Sequence, residues 1–309
     1  MTPEQSSEPT PEPTSSPTPE PTSGPTPERT FDDYWAAVDA ELAAIPARPV
    51  LELVPERTTD EATFYTVRLT STGPYRVYGN LSIPSGDGPF PGLLITPRYG
   101  SVNNIPHPND RSRYVVLSLM HRGQRLADDG FAAAYPGLLT IGIDDPSTYV
   151  YRGIAADCLR AAEFLLGLAE VDPARVAVTG DDLAVLTAAR RPGFGSVRVT
   201  DLLFYRAMEA RLKSCLYPLE ELNDQLRSGS SAEGLSTTLA YYDPTRHASA
   251  VIGRTLLSVD DEDWCQSLLA ALPDPEVYRV THLDGTDNDF LDAWLAERSG
   301  VPAMSKFVA

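Results

Sequence analysis

The run Val176-Ala177-Val178-Thr179-Gly180-Asp181-Asp182-Leu183-Ala184 reads as a buried strand entering a tight turn, where a nucleophile elbow presents its reactive side chain. The residues two before and two after the centre of such a turn must be small, so that strand and helix can approach. Gly180 and Ala184 meet that demand around Asp182, and the strained elbow is therefore expected to survive. The central residue, however, is an aspartate where acyl transfer would use a serine hydroxyl. A carboxylate there can in principle attack carbon to form an aspartyl ester, which a histidine-activated water must then cleave. It is a poor neighbour for an oxyanion hole, because its charge opposes the one developing on a carbonyl oxygen.

Other reactive residue types offer less. Cys158, Cys215 and Cys265 lie far apart, with no CxxC and no matching histidine spacing. Neither disulfides nor a zinc site is expected, buried thiols are the default, and no cofactor or metal is implied. His121 reads as a core or loop histidine, while His107 and His247 read as surface residues. Trp35 and Trp294 read as packing anchors. The formal charge of −18, from 43 acidic against 25 basic residues without a basic stripe, argues against nucleic acid as a partner and for plain solubility.

The elements that must position these residues alternate as in a doubly wound α/β sheet. Residues 1–30, built from Thr, Pro, Glu and Ser repeats, have too little apolar surface to offset their ordering entropy and are expected to be a disordered, polyproline-II-leaning tail. Neither a signal-peptide core nor a run of about 20 apolar residues occurs, so no membrane span is expected. The compartment stays open: cytoplasmic is the expectation for the sequence as written, with a secreted or cell-surface location open if its start is incomplete. Residues 31–309 are expected to form one domain. Helices are expected from Phe31 to Ile45, from Tyr149 to Leu168, from the elbow through Arg190, near Gln266 to Leu272, and from Asn288 to Glu297. Expected strands run Phe64 to Thr70, Arg76 to Ile83, Pro91 to Thr96, Tyr114 to Leu119, Val176 to Thr179, Thr255 to Val259 and Val277 to Thr281. Leu222 to Gly234 reads as a polar insertion able to sit over the site as a lid.

Six segments carry a resemblance. They are Phe31-Asp32-Asp33-Tyr34-Trp35, Gly88-Pro89-Phe90-Pro91, Arg122-Gly123-Gln124, Gly142-Ile143 with Tyr149-Val150-Tyr151-Arg152-Gly153, Val171 through Gly180, and Leu239-Ala240-Tyr241-Tyr242-Asp243-Pro244. In order and spacing the chain resembles the acetyl xylan esterase and cephalosporin-C deacetylase family of α/β-hydrolases, carbohydrate esterase family 7. The resemblance implies an α/β-hydrolase fold, acetyl-ester hydrolysis on small molecules or carbohydrates by a Ser-His-Asp triad, and a homo-oligomer. The family's Gly-Gly-Ser-Gln-Gly-Gly elbow puts Asp182 at the nucleophile position. Its Gly-Leu-x-Asp loop aligns best with Asp263, with Asp260 and Asp261 as alternatives. Its Gly-His-Glu falls on Gly285-Thr286-Asp287, so Thr286 stands where the histidine belongs, and His282 is the nearby substitute if the loop has shifted. The oxyanion donors become the backbone N–H groups of Tyr99 and Leu183, and the family counterpart of Arg122 implies that this residue fixes loops near the site by hydrogen bonds.

Three readings follow. The chain could be a non-catalytic homologue kept for binding, because nucleophile, histidine and elbow glycines are altered together. It could use Asp182 as nucleophile, as related hydrolases of the fold do. It could retain acetyl esterase activity through a serine or water outside these motifs.

Overall fold

The computed structural model describes residues 30–101 and 105–305; the expected tail, apart from Thr30, lies outside the described residues. Among the described residues nine strands form one sheet, in the order β1-β2-β3-β5-β4-β6-β7-β8-β9. These are β1 (Val50–Leu53), β2 (Ala62–Thr70), β3 (Arg76–Pro84), β4 (Phe90–Ile95), β5 (Val115–Met120), β6 (Val171–Gly180), β7 (Ser196–Val199), β8 (Arg254–Val259) and β9 (Pro275–Arg279). The pairs β1–β2, β2–β3 and β3–β5 are antiparallel, and the remaining pairs are parallel. This is the mostly parallel sheet of an α/β-hydrolase.

Helices cover both faces because the inner strands are apolar on both. Leu94, Val115, Leu117 and Val178 join the larger core with Trp35, Ile154 and Val185 from helices Phe31–Ala44, Val150–Leu166 and Asp182–Arg190. Their sequence neighbours Leu93, Val116 and Ala177 join a second core with Trp294 and Leu295 from helix Asp284–Ser299. Successive side chains of a strand point to opposite faces, so a continuous apolar run such as β5, buried at every position, requires cover on both.

Several boundaries differ from the sequence expectation. Strands β1 and β7 were not anticipated: each has four residues, all of β1 is exposed, and β7 carries Arg198 in its middle. Strand β6 begins at Val171 rather than Val176, through a register shift opposite Pro91 and Gly92. The Leu222–Gly234 stretch is largely helical, divided between helices Glu220–Arg227 and Ala232–Leu239. The last helix starts at Asp284, four residues before the expected Asn288, and takes in Thr286. No helix among the described residues is long and apolar enough to cross a membrane.

Candidate active site

Strand β6 ends at Gly180, where a Cβ would lie 1.9 Å from the Oγ1 of Thr96; the strand and the segment after β4 touch through the missing side chain. Asp181 follows as the N-cap of helix Asp182–Arg190, its Oδ1 accepting from the Leu183 N–H at 2.9 Å. Aspartate is among the best capping residues because it satisfies one of the orphan amides at a helix start. Asp182 is then the first helical residue, and it is not among the described non-glycine residues with positive φ. The strained elbow expected from the sequence is absent. An ordinary helix start capped by Asp181 replaces it.

The Asp182 side chain is 1 % exposed and points into the protein. Its Oδ2 accepts from the backbone N–H of Leu203 and, at 2.9 Å, of Phe204; its Oδ1 accepts from Tyr205 at 3.1 Å. Three consecutive amides of the loop after β7 thus converge on one carboxylate. Burial pushes the Asp182 carboxyl well above the usual range and the Asp181 charge adds to this, while the amides pull the other way. Asp181, fully buried, is pushed up to about 7, again chiefly by burial.

Tyr99 and Leu183 mark the two positions of the implied oxyanion hole. The Leu183 N–H is the one bonded to Asp181. The Tyr99 hydroxyl donates to Oε1 of Glu221, whose Oε2 accepts from the Leu139 N–H at 2.8 Å. Glu221, 3 % exposed, lies one residue before the Leu222–Gly234 segment expected as a lid, in helix Glu220–Arg227, and ties that helix to Tyr99. The Tyr135 and Tyr151 hydroxyls are buried without a partner among the described residues.

His282 has a left-handed backbone (φ 59°), and its Nε2 lies 2.9 Å from Oδ1 of Asp260, with the two side chains 78 % and 71 % exposed. A pair so exposed contributes little to stability. Asp261 bonds the Trp264 N–H at 3.1 Å, and Asp263 opens the 3-10 turn Asp263–Cys265 with an exposed side chain. Thr286 is exposed in the first turn of helix Asp284–Ser299. Just beyond it, Asp287 accepts from Tyr278, from Thr281 N–H and from Thr281 Oγ1; the Tyr278 hydroxyl leads in holding its carboxyl down to about 2. Among the described residues no hydrogen bond or ion pair joins Asp182 to His282, Asp263 or Thr286.

The remaining side chains divide. His121 is buried with Nδ1 2.6 Å from the Arg122 carbonyl oxygen, and burial lowers it to about 4; it is a neutral core histidine, as read. His247 is a correction: it is 3 % exposed, its ring tilted against Phe31 and edge-on to Trp35, with Nε2 3.0 Å from the Tyr241 carbonyl oxygen. The polar residues around it had suggested a surface, but one face of its short helix is covered by the first helix. His107, half-buried, caps a short helix through Nδ1 at Asn109 N–H. Cys215 is exposed, against the default for a thiol, whereas Cys158 and Cys265 are buried. Arg122 fixes loops as expected: its Nε and Nη2 donate to Asp157 at 3.0 and 2.6 Å, and Nη2 also reaches Thr72. Asp157 was legible in principle, since a charge inside the apolar run Ala155-Ala156-Asp157-Cys158-Leu159 needs a partner. The Leu203–Tyr205 amides and Glu221 had no such signal: backbone donors have no residue type, and Glu221 sits in an ordinary polar helix. No group of three or more His, Cys, Asp or Glu residues able to hold a metal occurs among the described residues.

Against known proteins, the family model for acetyl xylan esterase (AXE1) matches residues 22–267. The acetyl esterase Axe7A of Xylanibacter ruminicola is 26% identical over 179 residues, which cover 52% of this chain and 40% of that protein. The chain thus aligns with less than half the length of this curated relative. Two solved structures share the fold. The acetyl xylan esterase from Paenibacillus sp. R4 has a TM-score of 0.72 at 23% identity, with 89% of this chain and 96% of that one covered. Acetyl xylan esterase 1 from Thermoanaerobacterium sp. JW/SL YS485 has a TM-score of 0.72 at 20% identity, with 87% and 93% covered.

Proposed function

The chain belongs to the acetyl xylan esterase family, and from that premise we propose that it is a non-catalytic member, in which the former nucleophile position has become a structural joint and the protein serves to bind a small-molecule or carbohydrate ligand. One observation carries this reading: both oxygens of the buried Asp182 carboxylate accept from the Leu203, Phe204 and Tyr205 amides. A nucleophile needs an accessible oxygen aimed at substrate, and both of these are buried against the backbone. The Leu183 N–H, which would have to stabilise an oxyanion, is bonded to a carboxylate instead. The exposed His282–Asp260 pair gives no base in contact with Asp182. These features also weigh against an aspartyl-ester mechanism, which asks the same carboxylate to be open to solvent and served by a histidine.

The test is hydrolysis of a chromogenic acetate by the purified full chain. Turnover no greater than that of the heat-denatured protein is expected, since losing the serine alone removes several orders of magnitude in triad enzymes. Turnover that disappears in Asp182→Ala would overturn the reading and make Asp182 the nucleophile. Turnover unaffected by that change but retained through re-purification would place an active group elsewhere in the chain and would equally overturn it.

A further inference from the structure

With the strand-to-helix turn closed, a ligand must be held elsewhere, and two clefts of the molecule are roomy enough to take one. The first, of about 440 Å³, is bordered by Val176 and Ser196 and by Arg175, Arg254 and Arg298. These arginines are matched by Asp172, Asp274 and Glu276, and the cleft lies at the amino ends of the parallel strands, away from where open α/β sheets bind ligands. The second, of about 320 Å³, is bordered by Glu41, Arg122, Phe131, Ile141, Thr148 and Arg152, among others. It sits beyond the carboxyl end of β5, against the start of helix Val150–Leu166, and its size falls in the range of small-molecule sites.

We propose that this second cleft binds a neutral sugar unit, its hydroxyls held between the Arg152–Glu41 pair and Arg122 and its apolar face resting on Phe131 and Ile141. The proposal rests on the non-catalytic binding reading given above.

The polar groups are preorganised. Arg152 Nη1 donates to Glu41 Oε2 at 2.6 Å with side chains 18% and 38% exposed, so a solvent-facing guanidinium and carboxylate stand side by side. Its Nε and Nη2 donate to none of the described residues. Arg122 is locked by Asp157 and Thr72 and lies flat against the helix, where a Cβ on Gly153 would come 2.4 Å from its Cζ. Fixed donors cost little ordering entropy on binding.

The charges select the ligand. Each arginine has its carboxylate, so the cleft is close to neutral; Asp157 is buried behind Arg122, and Glu41 beside Arg152 puts an acceptor next to donors, the pattern that a hydroxyl, donor and acceptor at once, can satisfy twice. An anionic ligand would meet the field of a chain with net charge −18, and a cation would meet two guanidinium groups. The half-buried Phe131 and the 39% exposed Ile141 provide the apolar floor that such sites share.

The experiment titrates xylotriose into the full chain, followed by calorimetry and by ligand-observed NMR, with a uronate-bearing xylo-oligosaccharide in parallel. The expected result is saturable binding of the neutral sugar, weakened roughly tenfold in Arg152→Ala, the cost of one charged hydrogen bond. Phe131→Ala should also weaken it, and Arg254→Ala, in the other cleft, should leave it unchanged. Ile141→Trp fills the cleft from an exposed position without removing a partner, so it tests the site even if Arg152→Ala does not fold. Absence of binding, binding indifferent to Ile141→Trp and Phe131→Ala, or preference for the uronate-bearing sugar would each overturn the proposal. The esterase assay is independent: Asp182-dependent turnover defeats the non-catalytic reading whatever the sugar does, and lack of sugar binding with no turnover defeats only this inference.

Discussion

Asp182 and Asp181 are two buried carboxylates in sequence, and their cost depends on pH. An aspartate in the unfolded chain titrates near 4, whereas Asp181 is pushed up to about 7 by burial. The folded state therefore holds a proton that the unfolded state releases between these values. The contribution of Asp181 is most favourable below the unfolded pKa, and it is lost as pH rises through about 7. His121 and His247, both lowered to about 4 by burial, act in the opposite sense below about 6.5, so the difference between variants is the quantity to read. In Asp181→Asn the side-chain oxygen still accepts from Leu183 N–H but no charge is buried. Its Tm relative to the parent should climb between pH 5 and pH 8, by roughly 5 °C. A difference in Tm that is flat with pH would mean that Asp181 is not the titrating group.

The turn is where elements meet most closely, and Gly180 is the contact point. A Cβ here would collide with Thr96 where it stands, its N–H bonded to the Thr179 carbonyl at 2.9 Å. Gly180→Ala should destabilise by about 2–4 kcal/mol through overpacking. Thr96→Ala removes the opposing hydroxyl, so in Gly180→Ala/Thr96→Ala part of that loss should return, giving a coupling energy of about 1 kcal/mol or more in a double-mutant cycle followed by denaturant unfolding. Strictly additive effects would show that the strain lies in the backbone and not between these two side chains. The same close approach explains why the small residue before the turn was legible while the turn's own geometry was not: glycine reports a crowded backbone, but which neighbour caps the following helix depends on which side chain reaches its amides first.

At the scale of the molecule, the first helix is fastened by aromatic contacts to a segment about two hundred residues away in sequence. Trp35 is fully buried, its Nε1–H donates to the Tyr241 carbonyl at 3.1 Å, and its ring meets Tyr34, Tyr242 and His247. Tyr34 and Tyr242 share a hydrogen bond of 2.5 Å between hydroxyls. Removing such a side chain costs about 3–5 kcal/mol. We predict that the full chain melts in one calorimetric transition and that Trp35→Ala lowers that single transition as a whole. A separate low-temperature transition in Trp35→Ala would reveal the first helix as an independent unit and would count against one domain from residue 31 onward.

What the sequence determined by itself follows from burial, which leaves a periodic trace. The continuous apolar runs of β4 and β5, the wide apolar face of helix Val150–Leu166 and the spacing of the family segments all mark residues that must be inside whatever they touch. Exposed or mixed elements leave no such trace, so β1, whose four residues are all exposed, and β7, interrupted by Arg198, were invisible until their backbone partners were in place. Charged and polar residues are the extreme case. The glycine and the pair of aspartates at the turn were plain in the chain, but whether Asp182 faced solvent as a nucleophile or the interior as a joint was a choice between water and three amides of a loop twenty residues on. Only the tertiary structure decides that choice, because a carboxylate's partner is set by which donors the fold brings within about 3 Å of it, and backbone donors are the same at every position of the sequence.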